Sequence, residues 1–422
     1  MGTIAEKILA RHTDKEALEP GEIVTAKVDL VMLTEQLGRR IYKVFSNLVD
    51  DDDIGVWDKD KIVSVLDHWV PAPHIDAAEI HKICRNFTNK YDITHALDMK
   101  RGICHQVMIE GYVKPGMLVV GSDSHTVTYG ALNCFSSGLG STDIAITMAM
   151  GENWFKVPKT MKINLKGKKP QYIYGKDIIL KIITDLTAEG ATYYSMEFVG
   201  EATKDLSMDS RFTISNMSVE AGAKCGIFEF DEKTRQYLNR FNVKDYITTK
   251  SDKDAKFEME YDLDISKLDP QVAKPHSPAN SVDIGEIEGQ HIDQALIGSC
   301  TNGRLEDLRT AAEILKGKKV HPEVRLIVVP ASRNVYLDAV KKGIIESLIN
   351  SDALITNPTC GACIGGHLGI LASNEVCIST TNRNFKSRMG HPTSKIFLAN
   401  AITVAASAIK GEITDPRDYM EE

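Results

Sequence analysis

Four short apolar runs in this chain each stop at a cluster of chemistry-bearing side chains, and that repeated design restricts the fold more than any other feature. KIVSVLDH ends in Asp67 and His68, MLVVGSDSH in Asp123, Ser124 and His125, QALIGSCTN in Cys300 and Asn302, and EVCISTTNRNF in Asn382 and Arg383. Near-continuous β-branched runs of this length suit strands buried on both faces, as in parallel sheets covered by helices. Helical segments alternate with them. RLEDLRTAAEILKG (304–317) sets Leu305, Leu308, Ala312 and Leu315 on one stripe and stops at Gly317. VRLIVVP (324–330), an amphipathic stretch from Asn334 to Ile345, and ALIT (353–356) continue the rhythm. Ligands of open parallel sheets bind beyond the carboxyl ends of the strands, so the four clusters are expected to converge on one cleft.

A chain of 422 residues is too long for one core and predicts two or three lobes. One boundary is expected near VPKT (157–160). The polar, weakly periodic stretch 244–291, with KSDKDAK and KPHSPANS, reads as a linker or surface excursion before the last lobe. Asp50–Asp53 reads as a solvated loop, since EF-hand spacing is missing. With a net charge of −8 there is no basic face for nucleic acid, and an acidic ligand must be captured by local arginines. The first residues lack a signal-peptide core, and no apolar run approaches the ~18 residues of a membrane span. The expected compartment is the cytoplasm. There, the eight cysteines (84, 104, 134, 225, 300, 360, 363 and 377) are not expected to form a disulfide framework.

NPTCGACIGG (357–366) holds Cys360 and Cys363 two residues apart. Such spacing is compatible with a redox pair, half a zinc site or part of an iron–sulfur cluster, and buried structural thiols are the plain alternative. No thioredoxin-like unit surrounds the pair, and zinc would call on Cys377 or His367 as a fourth ligand. Cys300, at a strand end, is the natural third sulfur.

GSDSHT (121–126), GSCTNGRLEDLR (298–309), NPTCGAC (357–363) and TTNRNFKSRMG (380–390) resemble, in order and spacing, the signature blocks of the aconitase superfamily. The likeness covers essentially the whole chain and is strongest to the stand-alone large subunits of the 3-isopropylmalate dehydratase and homoaconitase branch. It implies an α/β fold of three α/β/α lobes, 1–158, 159–285 and 286–422, with mostly parallel sheets around a central cleft. It also implies a 4Fe–4S cluster on Cys300, Cys360 and Cys363, whose fourth iron takes the hydroxyl and a carboxylate of a small di- or tricarboxylic hydroxy acid. Glycines 361, 365 and 366 are expected to bring backbone N–H groups to the sulfurs.

By the same resemblance, Asp67 pairs with His68, Asp123 with His105 and Glu220 with His125, and His68 is the acid acting on the departing hydroxyl. Arg383, Arg388 and Ser124 match substrate-carboxylate binders, and Asn382 beside them is expected to bind substrate; Asn216 and Asn302, also expected at the substrate, match hydrogen-bonding residues beside the cluster. The proton-abstracting serine belongs to a swivelling domain not found here, which implies a small-subunit partner. One block departs from the pattern: DLVMLTEQLGRR (29–40) has Thr34 where histidine is common, leaving the substrate open. Isopropylmalate isomerisation in leucine biosynthesis is the leading reading; homoaconitase or a dimethylmalate- or methylmalate-type dehydratase is the alternative. The acidic balance argues against an RNA-binding regulator, and a zinc-stabilised structural protein is the remaining rival.

Overall fold

The computed structural model describes residues 2–48, 55–99 and 101–420, so the acidic run Asp50–Asp53 lies outside the described residues. The first sheet has five parallel strands in the order His95–Leu97, Ile62–Val65, Leu30–Thr34, Leu118–Gly121 and Phe135–Gly138. Its three central strands are buried along their whole length, which is why they read as unbroken apolar runs rather than alternations. A second, four-stranded parallel sheet runs Cys225–Phe228, Tyr194–Val199, Lys159–Lys166, Met259–Asp264. The third has seven strands: Ser281–Asp283, Gln271–Ala273, Lys395–Leu398, Val376–Ser379, Gln294–Ile297, Arg325–Val328 and Leu354–Ile355. Its first two strands are antiparallel additions to a parallel set of five. The expected α/β class with mostly parallel sheets is therefore present, with no closed barrel among the described residues.

Three local expectations need correction. The 244–291 stretch is no plain linker: Met259–Asp264 is an edge strand whose side chains are mostly solvent-facing, so its polarity hides it. Gln271–Ala273 and Ser281–Asp283, expected in the middle lobe, hydrogen-bond into the C-terminal sheet. The single amphipathic stretch from Asn334 to Ile345 is two helices, Arg333–Lys341 and Ile344–Asn350, because Gly343 takes the left-handed conformation (φ 71°) between them.

One buried apolar cluster draws on these three larger sheets, including Val63, Val119, Ile163, Phe198, Leu296 and Leu398. Through it the sheets are fixed relative to one another. The carboxyl ends of Ile62–Val65, Leu118–Gly121, Gln294–Ile297 and Val376–Ser379 lead directly into the four polar clusters.

Candidate active site

The turn after Ile62–Val65 is held by a residue on the neighbouring strand end. Glu35, directly after Leu30–Thr34, accepts N–H bonds from Asp67 at 3.1 Å, His68 at 2.6 Å and Trp69 at 3.0 Å. Burial would raise its pKa, but nearby His81 and His68 and these donors hold it at about 2. His68 Nδ1 lies 2.7 Å from Asp67 Oδ1, and its Nε2 is 3.9 Å from Asp123 Oδ2. Burial alone would lower the imidazole's pKa; Asp67, Glu35 and Asp123 instead raise it to about 10, so His68 is cationic at neutral pH. Asp67 Oδ2 accepts from the Cys104 N–H at 2.6 Å, which fixes the carboxylate.

The second turn begins at Gly121, where a Cβ would stand 2.2 Å from Thr126 Oγ1, so only glycine lets the chain fold back there. Asp123 caps the 3₁₀ helix Ser124–Leu132 through the His125 N–H at 2.8 Å. Its Oδ1 also meets His105 Nε2 at 2.9 Å and His125 Nδ1 at 3.3 Å. Burial would raise the Asp123 carboxyl, yet these imidazole contacts hold it well below the usual range. His105 Nδ1 meets the Tyr129 hydroxyl at 3.0 Å, and His125 Nε2 meets Glu220 Oε1 at 2.9 Å. Two trios bring ligand atoms within 4.8 Å of one another: His105 with His125 and Cys300, and Glu35 with Asp67 and His68. Every ring nitrogen of the first trio is already engaged, and both carboxylates of the second are bound by N–H groups, so neither is open to a lone ion in this arrangement.

Cys300 lies on a single helical turn, Ser299–Asn302, entered through Ser299 at φ 76°. That conformation costs a non-glycine residue about 1 kcal/mol, and such strain gathers at functional turns. Arg304, fully buried, secures the turn: its guanidinium donates to Cys300 O at 2.6 Å, to Thr301 O, and to Gln106 Oε1 at 3.0 Å. The loop carrying Cys360 and Cys363 is tied to the histidine turn by Cys360 N to Asp67 O (2.9 Å), Gly361 N to His68 O (3.2 Å) and Thr359 Oγ1 to Asp67 O (2.7 Å).

Asn382 brings the two cysteine segments together. Its Nδ2 donates to Cys300 Sγ and its Oδ1 accepts from Cys363 Sγ, both at 3.4 Å, while Asn216 Nδ2 donates to Cys300 Sγ at 3.2 Å. The contact between Cys360 and Cys363 pushes the Cys360 thiol well up and draws Cys363 down to about 5, with Arg388 assisting. Arg388 Nε and Asn216 Oδ1 are buried without partners. Three soft sulfur donors, amide N–H groups turned on sulfur and a guanidinium with one nitrogen left over fit an anionic metal–sulfur group. Arg383 bonds Glu220 Oε1 at 2.8 Å and Ser124 Oγ at 3.0 Å, joining the fourth cluster to the second.

Several expected contacts are arranged otherwise. The N–H groups of glycines 361, 365 and 366 go to the carbonyls of His68, Ala362 and Gly361, because the loop closes on itself and on the histidine turn. Asn302 turns its Nδ2 to Asp307 at 2.8 Å and Thr213 at 3.2 Å, bracing the next helix instead of a sulfur. Cys377 is a core thiol on Val376–Ser379, and His367 Nε2 lies 3.5 Å from Thr359 Oγ1. Sequence reasoning missed Glu35, Arg304 and Lys176. Lys176 is fully buried on the helix Gly175–Leu186, and its Nζ donates to Thr380 O and Thr381 O, both at 2.9 Å, and to Met217 Sδ at 3.2 Å. Its signal was available: it shares a stripe with Ile179, Leu180 and Ile183.

Comparison with known proteins places these features in context. A family model described as the aconitase family (aconitate hydratase) matches residues 6–411. The chain is 48% identical over 419 residues to 3-isopropylmalate dehydratase large subunit 1 of Methanopyrus kandleri, covering 99% of each. It is 50% identical to the 3-isopropylmalate dehydratase large subunit of Caldicellulosiruptor saccharolyticus, over 99% of this chain and 97% of the relative. The counterpart from Moorella thermoacetica is 49% identical, with 99% of each covered. Among solved structures, Thermococcus kodakaraensis aconitase X in its holo-form shares the fold, with TM-score 0.54, 14% identity and coverage of 96% and 94%.

Proposed function

The chain belongs to the aconitase family, and we propose on that premise that it is the large, cluster-bearing subunit of a hydro-lyase interconverting 2-isopropylmalate and 3-isopropylmalate by dehydration and rehydration, as in leucine biosynthesis. The name shared by the three relatives supports this substrate over homoaconitate or dimethylmalate. One observation carries the reading: Asn382 touches both Cys300 and Cys363 while the adjacent Arg383 meets Glu220 and Ser124, so sulfur, acid–base and carboxylate-binding groups meet at one point.

Cys300, Cys360 and Cys363 hold a 4Fe–4S cluster in this proposal. When bound, that group supplies a Lewis acid for the substrate hydroxyl. Arg383, Arg388 and Ser124 bind the substrate carboxylates, for which a fixed guanidinium fork is well suited. His68, kept cationic by its carboxylate neighbours, gives its proton to the departing hydroxide. Asp123 and Glu220 set the tautomers and orientations of His105 and His125. Asn216 and Asn382 donate to cysteine sulfur and keep the segments in register.

The relatives' name, large subunit, supports a small-subunit partner; we assign to it the swivelling domain and the serine that takes the carbon-bound proton. No helix among the described residues is long and apolar enough to cross a membrane, and we place the enzyme in the cytoplasm. The test is anaerobic reconstitution with iron and sulfide, with and without a cognate small subunit, followed by dehydration of 3-isopropylmalate. Iron uptake by wild type, lost in Cys363→Ala, and turnover only with the partner support the proposal. Stoichiometric zinc without iron, or full turnover by this chain alone, overturns it.

A further inference from the structure

Lys176 is an ammonium buried without a carboxylate in contact. Its Nζ has three acceptors, Thr380 O, Thr381 O and Met217 Sδ, which only a group with three N–H bonds can satisfy together, so the geometry calls for the charged form. The two acidic side chains nearest in charge are engaged elsewhere. Asp177 accepts from Asn400 and the Gln271 N–H, and Asp307 from Asn302 and the Arg304 N–H. Among the described residues Lys176 forms no ion pair, yet it is among the largest fully buried side chains. Burial pulls its pKa down to about 7, although Asp307, Cys300, Cys363 and Asp177 oppose that pull in this order, so a further negative charge nearby would secure the charged form.

Its grip lies next to the cysteine site. The two carbonyls it grips directly precede Asn382, which touches both sulfurs, and Cys300 and Cys363 follow Asp307 among the charges that act on it. We infer that Lys176 is the counter-charge of the thiolate-held group and, by gripping Thr380 and Thr381, the positioning residue that sets Asn382 and Arg383 against it. This rests on the reading of Cys300, Cys360 and Cys363 as cluster ligands.

Two variants separate charge from grip. Lys176→Met removes both; Lys176→Gln removes the charge but keeps two N–H donors for the carbonyls. Without iron, both should fold, with Lys176→Gln melting above Lys176→Met because it keeps N–H donors for the two carbonyls. After anaerobic loading, wild type should gain more thermal stability than either variant. In redox titrations followed by electron paramagnetic resonance, both variants should favour the oxidised group at least tenfold at fixed potential, a downward shift of about 59 mV. Unchanged potentials in iron-loaded variants, or failure of both to fold without iron, would overturn the role of Lys176. Wild-type protein that takes up no iron at all would instead sink the cluster reading itself.

Discussion

Replacing Glu35 with glutamine tests the site at its least obvious support. The carboxylate accepts three successive backbone N–H groups, from Asp67, His68 and Trp69, and stands 3.9 Å from His68 Nδ1. Its pKa falls from 4.5 to about 2 in the folded chain. Because the folded value is the lower one, the stabilisation is complete above the unfolded value of 4.5 and disappears as pH falls through 2. The difference corresponds to about 3 kcal/mol at neutral pH. Spread over 422 residues at roughly 2.1 cal/mol/K each, it equals about 3 °C in Tm. Glu35→Gln should therefore melt about 3 °C below wild type at pH 7, with the gap narrowing by more than a third near pH 3.5. Glu35 also helps to hold His68 cationic, so the basic limb of the pH–kcat profile should move to lower pH in the variant. Equal melting temperatures at pH 7, or a gap independent of pH, would refute the argument.

Asn382→Leu removes the amide shared by Cys300 and Cys363 and should weaken iron retention by roughly 10- to 100-fold, read as iron per chain after gel filtration against a chelator. In Gly138→Ala the new Cβ would stand 2.6 Å from Asp123 O and 2.8 Å from Ser124 Cα, so backbone must shift at the turn that carries Asp123 and His125. A displacement approaching 1 Å there should lower kcat by about 100-fold in the reconstituted enzyme. Arg304→Met leaves the Cys300 and Thr301 carbonyls without their buried donor and should destabilise the chain by roughly 1–3 kcal/mol for each, measured by thermal melting.

The strand ends could be read from sequence because buried parallel strands are short apolar runs, and an abrupt polar cluster after one is visible without a structure. LVVG before Asp123 and QALI before Cys300 show this directly. Glu35 escaped for the opposite reason. Its partners are N–H groups about 30 residues away, which carry no side-chain signature, and attention fell on Thr34, whose own N–H goes to Ser122 Oγ. Arg304 opens a helix and reads as a surface residue until the carbonyls of its own cysteine turn are seen to face it. Met259–Asp264 was obscured by its edge position, where little burial is required and the apolar signal fades.

The three bonds joining Thr359, Cys360 and Gly361 to the carbonyls of Asp67 and His68 make the sulfur-bearing loop and the Asp67–His68 turn one mechanical body. A jolt to either is felt by both: oxidative damage at Cys360 would be audible at His68, whose imidazole resonance could serve as a reporter from afar. The same rivet confines any drift toward new substrates to walls that neither segment builds.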